Sequence, residues 1–454
     1  MLAALRQAPR RYRLPPLPAG APQARAAGID AALTFAIEAA RTGQPAPDAV
    51  RELFTWALGA FIRAAMAPAG GDPSFQALVL QAHDAQVREF VRLSAEALSD
   101  RRALRSLTDA IAHPGKTRAL PPGPARDALA RLHALAASQA WTDLRAALQD
   151  VDMLQGSAAL QGGDPPQHGD AAQPAALETI RTSTALQRLL RRDALLANPA
   201  VQRYLALCEQ RGPAAGSRAA AAQGRSAARA GAEAERATIE AFRQLAALLQ
   251  PHAPAACRVL RSLRPPSGFP GERGKAKDEW DAAIACGPEI LLLAEVKAAP
   301  AAASSDFSRL HRGLQRLAQA QADQAYDFAS ADGPVRILGA SLRELQPPAR
   351  GLPAHVIYCC TAPAEAQPQW LAAASKAVLA AEPASLAYAQ QLAQGGAPDD
   401  AQLQPVWEAL THAPRLRATL HQDATARLVR AAMLQPQDLV DGLAAPGRQR
   451  GPGA

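Results

Sequence analysis

The 454-residue chain carries a formal net charge of +8 and a sequence pI near 9.6, a balance that permits nucleic-acid binding without demonstrating it. Its 48% hydrophobic and 20% charged residues exclude a disordered chain, and the length suffices for two or three domains, each with its own core. No uninterrupted apolar segment reaches membrane-spanning length and no apolar signal core precedes Pro15, so a cytoplasmic protein with no membrane partner is expected.

Residues 1–20 end in R-Y-R-L-P-P-L-P-A-G, which reads as an extended lead-in. From about residue 21 to 155, apolar residues recur at three- and four-residue spacing. This predicts helices over 23–42, 47–66, 74–98, 100–113, 124–138 and 140–154, with Asp48, Ser74 and Asp100 as helix starts. No self-similar period supports a solenoid, so 1–155 reads as a helical N-terminal domain, a bundle that could receive a protein partner. His83, His113 and His133 lack H-x-x-x-H or H-E-x-x-H spacing and are ordinary histidines.

A Gly/Pro/Gln-rich stretch, 156–175, reads as a linker or mobile loop, and 176–230 as a helical connector. Within the connector a helix is expected over about 176–196. It carries Arg188 and Arg192 on one face, either a phosphate-contacting strip or an ordinary solvated face. The Ala/Gly-rich segment 213–230 is expected to be flexible.

Around Gly231 the pattern changes. An amphipathic helix is expected over about 232–250, followed by a strand over 257–264 with alternating apolar and basic residues. The next loop, 265–277, carries Gly268, Gly271 and Gly274 with Arg273, Lys275 and Lys277. A Walker A loop is rejected there, because Phe269 stands where the first glycine is required and Ala276 replaces Ser/Thr.

The apolar runs Trp280–Cys286 and Ile290–Ala298 then flank a Gly287-Pro288 turn and predict a β-hairpin. Asp281 lies on the first strand. Glu295 and Lys297, two residues apart, share one face of the second. Simple pairing about the turn sets Asp281 opposite Ala294, and a bulge or strand twist would bring both carboxylates to one end. Two carboxylates suit Mg²⁺ or Mn²⁺, hard cations that take few protein ligands and keep waters. A lysine beside them can orient a metal-bound water or stabilise an anionic transition state.

The pattern D-(13 residues)-E-V-K resembles the active-site hairpin of the PD-(D/E)XK nuclease superfamily, with Trp280 where proline is usually written. The resemblance implies that Asp281, Glu295 and Lys297 form the catalytic trio, with Asp281, Glu295 and the Val296 carbonyl as metal ligands. It also implies an auxiliary glutamate on the first helix of the core. The spacing Gly231-x-x-x-Glu235 makes Glu235 the preferred candidate, with Glu233 and Glu240 as alternatives.

After the hairpin, Ser305 or Asp306 is expected to cap a helix over about 306–329, followed by a helix over 334–345 and a buried strand over 354–360. The first of these helices carries Arg309, Arg312 and Arg316. With Arg273, Lys275 and Lys277 of the loop, they form the expected nucleic-acid-binding set. A RecB-like Q-x-x-x-Y signature is not met, since Tyr326 follows Gln321 by five residues and Gln324 by two. The resulting αβββαβ succession over 231–361 is that of the PD-(D/E)XK core, and 362–446 return to helices, including 364–381, 403–412 and 415–434, with a frayed tail.

The five cysteines, Cys208, Cys257, Cys286, Cys359 and Cys360, form no C-x-x-C pair, so neither a zinc site nor a disulfide framework is indicated. The expectation is therefore a mostly α protein with an α/β domain: an N-terminal helical bundle, a restriction-endonuclease-like αβββαβ core and C-terminal helices. The function expected from the resemblance is metal-dependent hydrolysis of phosphodiester bonds in nucleic acid, DNA foremost. The alternative is a non-catalytic helical interaction or nucleic-acid-binding scaffold with a degenerate nuclease-like domain. A third reading, in which E-V-K is only a solvated strand end, would be favoured by the two carboxylates lying far apart.

Overall fold

The computed structural model of the chain describes residues 2–42, 47–160, 172–212, 216–349, 351–366 and 368–444. These residues are mostly helical, with one five-stranded mixed sheet and a two-stranded ribbon. No helix among them is long and apolar enough to cross a membrane. They form two compact units, 65–212 and 1–64 with 213–454. The expected boundary after residue 155 is not an edge of either unit, because the helix Trp141–Leu160 runs through it. Residues 161–171 of the expected linker, and the expected frayed tail, lie outside the described residues.

The unit 65–212 is helical, as its three- and four-residue apolar spacing requires. Leu104, Leu129, Leu132, Leu144, Leu148 and Leu186 fill its core. Asp100 is not the helix start that the sequence suggested. Asp84 takes that place, accepting from the backbone N–H groups of Gln86 at 2.8 Å and Val87 at 2.9 Å. The helix it caps, Ala85–Ala112, continues through Asp100, which is buried and accepts from Arg188 Nε at 2.9 Å. Arg188 is thus engaged by a carboxylate of its own unit, and Arg191 likewise meets Glu89 at 2.7 Å.

In the second unit the long helix Arg218–Leu249 (α1) replaces the flexible segment expected before residue 231. Alanine is the best helix former, and the Ser217 hydroxyl caps the start by accepting from the Ala220 N–H at 3.1 Å. Together these outweigh Gly224 and Gly231, each worth about 1 kcal/mol against a helix. Ala234, Thr238, Ala241, Phe242 and Leu245 form its buried stripe.

That stripe packs on a sheet of strand order β1-β2-β3-β6-β7. The strands are β1 (Cys257–Leu263), β2 (Trp280–Cys286), β3 (Glu289–Lys297), β6 (Val356–Cys360) and β7 (Met433–Leu434). The first three are antiparallel neighbours, and β6 runs parallel to β3. Phe242 and Leu245 of α1 meet Ala282, Ile284, Leu292 and Ala294 on one face. On the other face Leu310, Leu314 and Leu317 of the helix Phe307–Leu317 (α2) meet Ala283, Leu293 and Tyr358. Both faces are covered, which explains the nearly continuous apolar runs of β2 and β3.

The helix expected over 306–329 stops at Leu317, and that expected over 334–345 shrinks to Gly339–Arg343. Between them β4 (Ala325–Phe328) and β5 (Val335–Leu338) pair antiparallel. Their alternate residues Tyr326, Phe328, Val335 and Ile337 enter the core, so period-2 burial overrides the helix propensity of the Ala/Gln-rich segment before them. Helices Pro383–Ala393 and Pro436–Ala444 fall within the helical region expected over 362–446. The lead-in is tied to this unit, for Tyr12 donates to the Cys360 carbonyl at 2.8 Å and the Ala362 carbonyl at 2.7 Å. It opens on a helix, Leu2–Gln7, where an extended chain was expected.

Cys257 and Cys286, directly opposite each other on β1 and β2, form a disulfide. This corrects the expectation of none: strand pairing closes a separation of 29 residues that cysteine spacing alone does not reveal.

Candidate active site

The hairpin forms as its turn residues dictate, with Gly287 at φ 59° in the left-handed region that glycine tolerates. Near the turn the register is Cys286 opposite Glu289 and Ala285 opposite Ile290. Continued unchanged, it would set Asp281 opposite Ala294, as expected from the sequence. A bulge between Ile284 and Ala285 shifts it by one, so that Ile284 faces Leu292 and Ala282 faces Ala294. One residue further on, Asp281 falls opposite Glu295.

Glu295 and Lys297 alternate with Ala294 and Val296 and so share with Leu293 the sheet face that α2 covers, and Asp281 reaches them from the neighbouring strand. Asp281 Oδ2 accepts the backbone N–H of Val296 at 2.7 Å, which holds that carboxylate on the neighbouring strand. Glu295 is fully buried, and among the described residues its Oε1 has no hydrogen-bond partner. Its other oxygen, Oε2, contacts Lys277 Nζ and lies 3.7 Å from Lys297 Nζ. Lys277 Nζ stands 3.9 Å from Asp281 Oδ1 as well, so one ammonium lies between both carboxylates.

Burial, reinforced by the nearby Asp281 charge, pushes the Glu295 carboxyl up to about 8 against the pull of the two lysines. Burial opposes the charge on Lys297, but its bond to Asp306 and the charges of Glu295 and Asp281 outweigh that and hold the ammonium above its ordinary value. Asp306 is fixed in turn by the Tyr358 hydroxyl, which donates to Oδ1 at 3.1 Å. Burial and that carboxylate raise the Tyr358 phenol well above its usual range, so it stays a donor. Glu235, near the start of the buried stripe of α1, is exposed. Its carboxyl is raised by partial burial and by the charges of Asp281 and Glu279.

Three members were missed or misread in the sequence. Asp306 was visible only as a helix cap, and it does occupy the N-cap position of α2, yet its side chain caps nothing and turns to Lys297 and Tyr358. Tyr358 gave no signal, because a tyrosine in an apolar run reads as core. Lys277 was assigned to the phosphate-binding loop, whereas its ammonium lies inside the site with a side chain only 16% exposed.

The site opens through a cavity of about 340 Å³ lined by Lys277, Asp278, Glu279, Asp281, Asp306 and Arg309. Of the expected nucleic-acid set, Arg309 borders this opening. Arg312, exposed, donates to the Lys275 carbonyl at 3.2 Å, and Arg273 pairs with Asp278 at 3.2 Å. Lys275 is exposed. Arg316 does not fit the expected role: it is buried, stacks over the Phe269 ring at 5.5 Å and donates to the Phe269 carbonyl at 3.2 Å. Its place on α2 turns it inward under the 265–277 loop, where it supports the loop.

No family model matches the chain, and neither do any curated protein or solved structure. Among the described residues no group of three or more His, Cys, Asp and Glu side chains could hold a metal ion. The donors at hand are the two carboxylates of Asp281 and Glu295. They fit an ion such as Mg²⁺, which commonly takes one or two carboxylates and keeps its waters. The unpartnered Glu295 Oε1 is the atom most in need of such a cation.

Proposed function

We propose that the chain is a divalent-metal-dependent nuclease, acting foremost on DNA, with a restriction-endonuclease-like core over about 231–361. The observation that carries this reading is the meeting of Asp281 and Glu295 across the β2–β3 hairpin with Lys297 on the same face. The order of elements, α1 then β1, β2 and β3, then α2 and β6, supports it. The third reading, a solvated strand end, is disfavoured by the complete burial of Glu295.

In this reading Asp281 and Glu295 hold Mg²⁺ or Mn²⁺, with the Val296 carbonyl and Glu235 as further candidate ligands. When bound, the ion lowers the pKa of a coordinated water and neutralises charge developing on the phosphodiester. Lys297, kept protonated by Asp306, is not a base. It can donate to the attacking water and stabilise the anionic transition state. Asp306 and Tyr358 keep that ammonium in place. Arg309, Arg312, Arg273 and Lys275 supply positive charge near the opening for the phosphate backbone. We place the protein in the cytoplasm, where a disulfide such as Cys257–Cys286 is uncommon.

The second reading, a binding scaffold with a degenerate nuclease-like domain, is favoured by one observation: Lys277 stands between the two carboxylates. The deciding experiment is a cleavage assay on linear, circular and single-stranded DNA with Mg²⁺ and with Mn²⁺, beside the Lys297→Ala variant. Metal-dependent cleavage lost in the variant supports the nuclease. DNA binding without cleavage by the unmodified chain would leave the scaffold.

A further inference from the structure

Lys277 is held differently at its two ends. Its backbone is pinned, since its N–H donates to the Arg309 carbonyl at 3.0 Å. A Cβ placed at Gly313 would stand 2.6 Å from the Lys277 carbonyl oxygen, so α2 needs glycine there for the loop to lie this close. Among the described residues the side chain, a flexible four-carbon stem, has no anchor of its own but its ammonium. At its tip the ammonium contacts Glu295 Oε2, stands 3.9 Å from Asp281 Oδ1 and borders the cavity.

We propose that Lys277 is a tethered cation that holds the place between Asp281 and Glu295 in the metal-free protein and yields it to a divalent ion. The inference rests on the metal-binding part of the function proposed above. A buried carboxylate without a counter-charge is costly, and the lysine meets that need with a single charge that can withdraw. Withdrawal requires only side-chain rotation. It carries the ammonium toward the cavity lined by Asp278 and Glu279, whose carboxylates, paired with Arg273 at 3.2 Å and Arg264 at 2.7 Å, can accept a further donor. There it also adds a positive charge at the opening through which a phosphate must pass. Lys297 cannot play this part, because Asp306 already holds its ammonium.

Competition has a measurable signature. If the lysine occupies the place about nine-tenths of the time, the apparent metal affinity is weakened about tenfold. The test is calorimetric and electron-paramagnetic titration of the full chain with Mn²⁺ alone, for the unmodified protein, Lys277→Met and Glu295→Gln. The expected result is about tenfold tighter Mn²⁺ binding by Lys277→Met, with a larger rise in Tm on saturation, and loss of binding in Glu295→Gln. Equal or weaker binding by Lys277→Met would overturn the proposal, as would absence of Mn²⁺ binding in both proteins. Lys277→Gln serves as the second variant if the Met protein does not melt cooperatively. The outcomes separate from those of the nuclease reading. Tighter binding without DNA cleavage by the unmodified protein keeps the tethered cation and removes the nuclease. Metal-dependent cleavage with unchanged affinity does the reverse.

Discussion

The carboxylate of Asp281 accepts the backbone N–H of Val296 at 2.7 Å. The residue between Glu295 and Lys297 thereby holds the third member of the trio from the adjacent strand. That bond leaves Asp281 Oδ1 for a cation and brings the aspartate close to a glutamate that has no exposed surface.

Glu295 should impose a pH dependence on stability in the absence of metal. Its folded-state carboxyl is raised to about 8 from 4.5. A raised folded-state value contributes stability that is complete below the unfolded value and is lost as pH rises toward 8. The limiting slope is roughly 1.4 kcal/mol per pH unit. Denaturant unfolding from pH 4.5 to about 8 should show this decline, and Glu295→Gln should flatten it. An identical slope in the variant would show that other groups set the dependence.

Asp281→Asn and Glu295→Gln should abolish metal-dependent cleavage and shrink the rise in Tm that Mn²⁺ produces. Lys297→Ala should part the two effects, losing cleavage by about 10²-fold or more while keeping metal-induced stabilisation, because an ammonium is not a ligand. Loss of Mn²⁺ stabilisation in Lys297→Ala would instead make the lysine a structural support for the carboxylates.

The arginines of α2 should separate by burial. Arg309→Ala and Arg312→Ala, both at exposed residues, should each reduce the salt slope of DNA binding by about 1 and leave Tm nearly unchanged. Arg316→Ala should lower stability by about 1–3 kcal/mol, through the lost packing on Phe269 and the lost hydrogen bond to its carbonyl. Salt titrations of DNA affinity beside thermal melts distinguish them, and an Arg316→Ala protein with unaltered Tm would count against this assignment.

Gly313→Ala should destabilise the protein by about 1–3 kcal/mol, although alanine favours helices, because its Cβ would press on the Lys277 carbonyl. Thermal or denaturant melts test the sign. A gain in stability would mean that the 265–277 loop moves aside at little cost.

Local order was legible in the sequence where one period dominated. The three- and four-residue apolar spacing of 124–138 matches the helix Pro124–Ser138, and Asp48 begins the helix Asp48–Ala65. The Gly287-Pro288 turn between apolar runs marks the β2–β3 hairpin, and period two alone sets Glu295 and Lys297 on one face. Such features depend on neighbours a few residues away, so the order of residues suffices to determine them. What depends on distant partners was decided by the tertiary structure. The bulge at Ile284/Ala285 moves Asp281 from Ala294 to Glu295, and no residue in the hairpin announces it. Asp306 leaves its capping role because Lys297 and Tyr358 are brought to it from two other strands. Arg316 turns inward because Phe269 lies over its helix, and Cys257 meets Cys286 only through the pairing of β1 with β2. Lys277 read as one more basic residue of a loop until α2 pinned its backbone. The buried Glu295 carboxyl then holds its ammonium inside the site, since burial strengthens the attraction of opposite charges and solvent exposure weakens it.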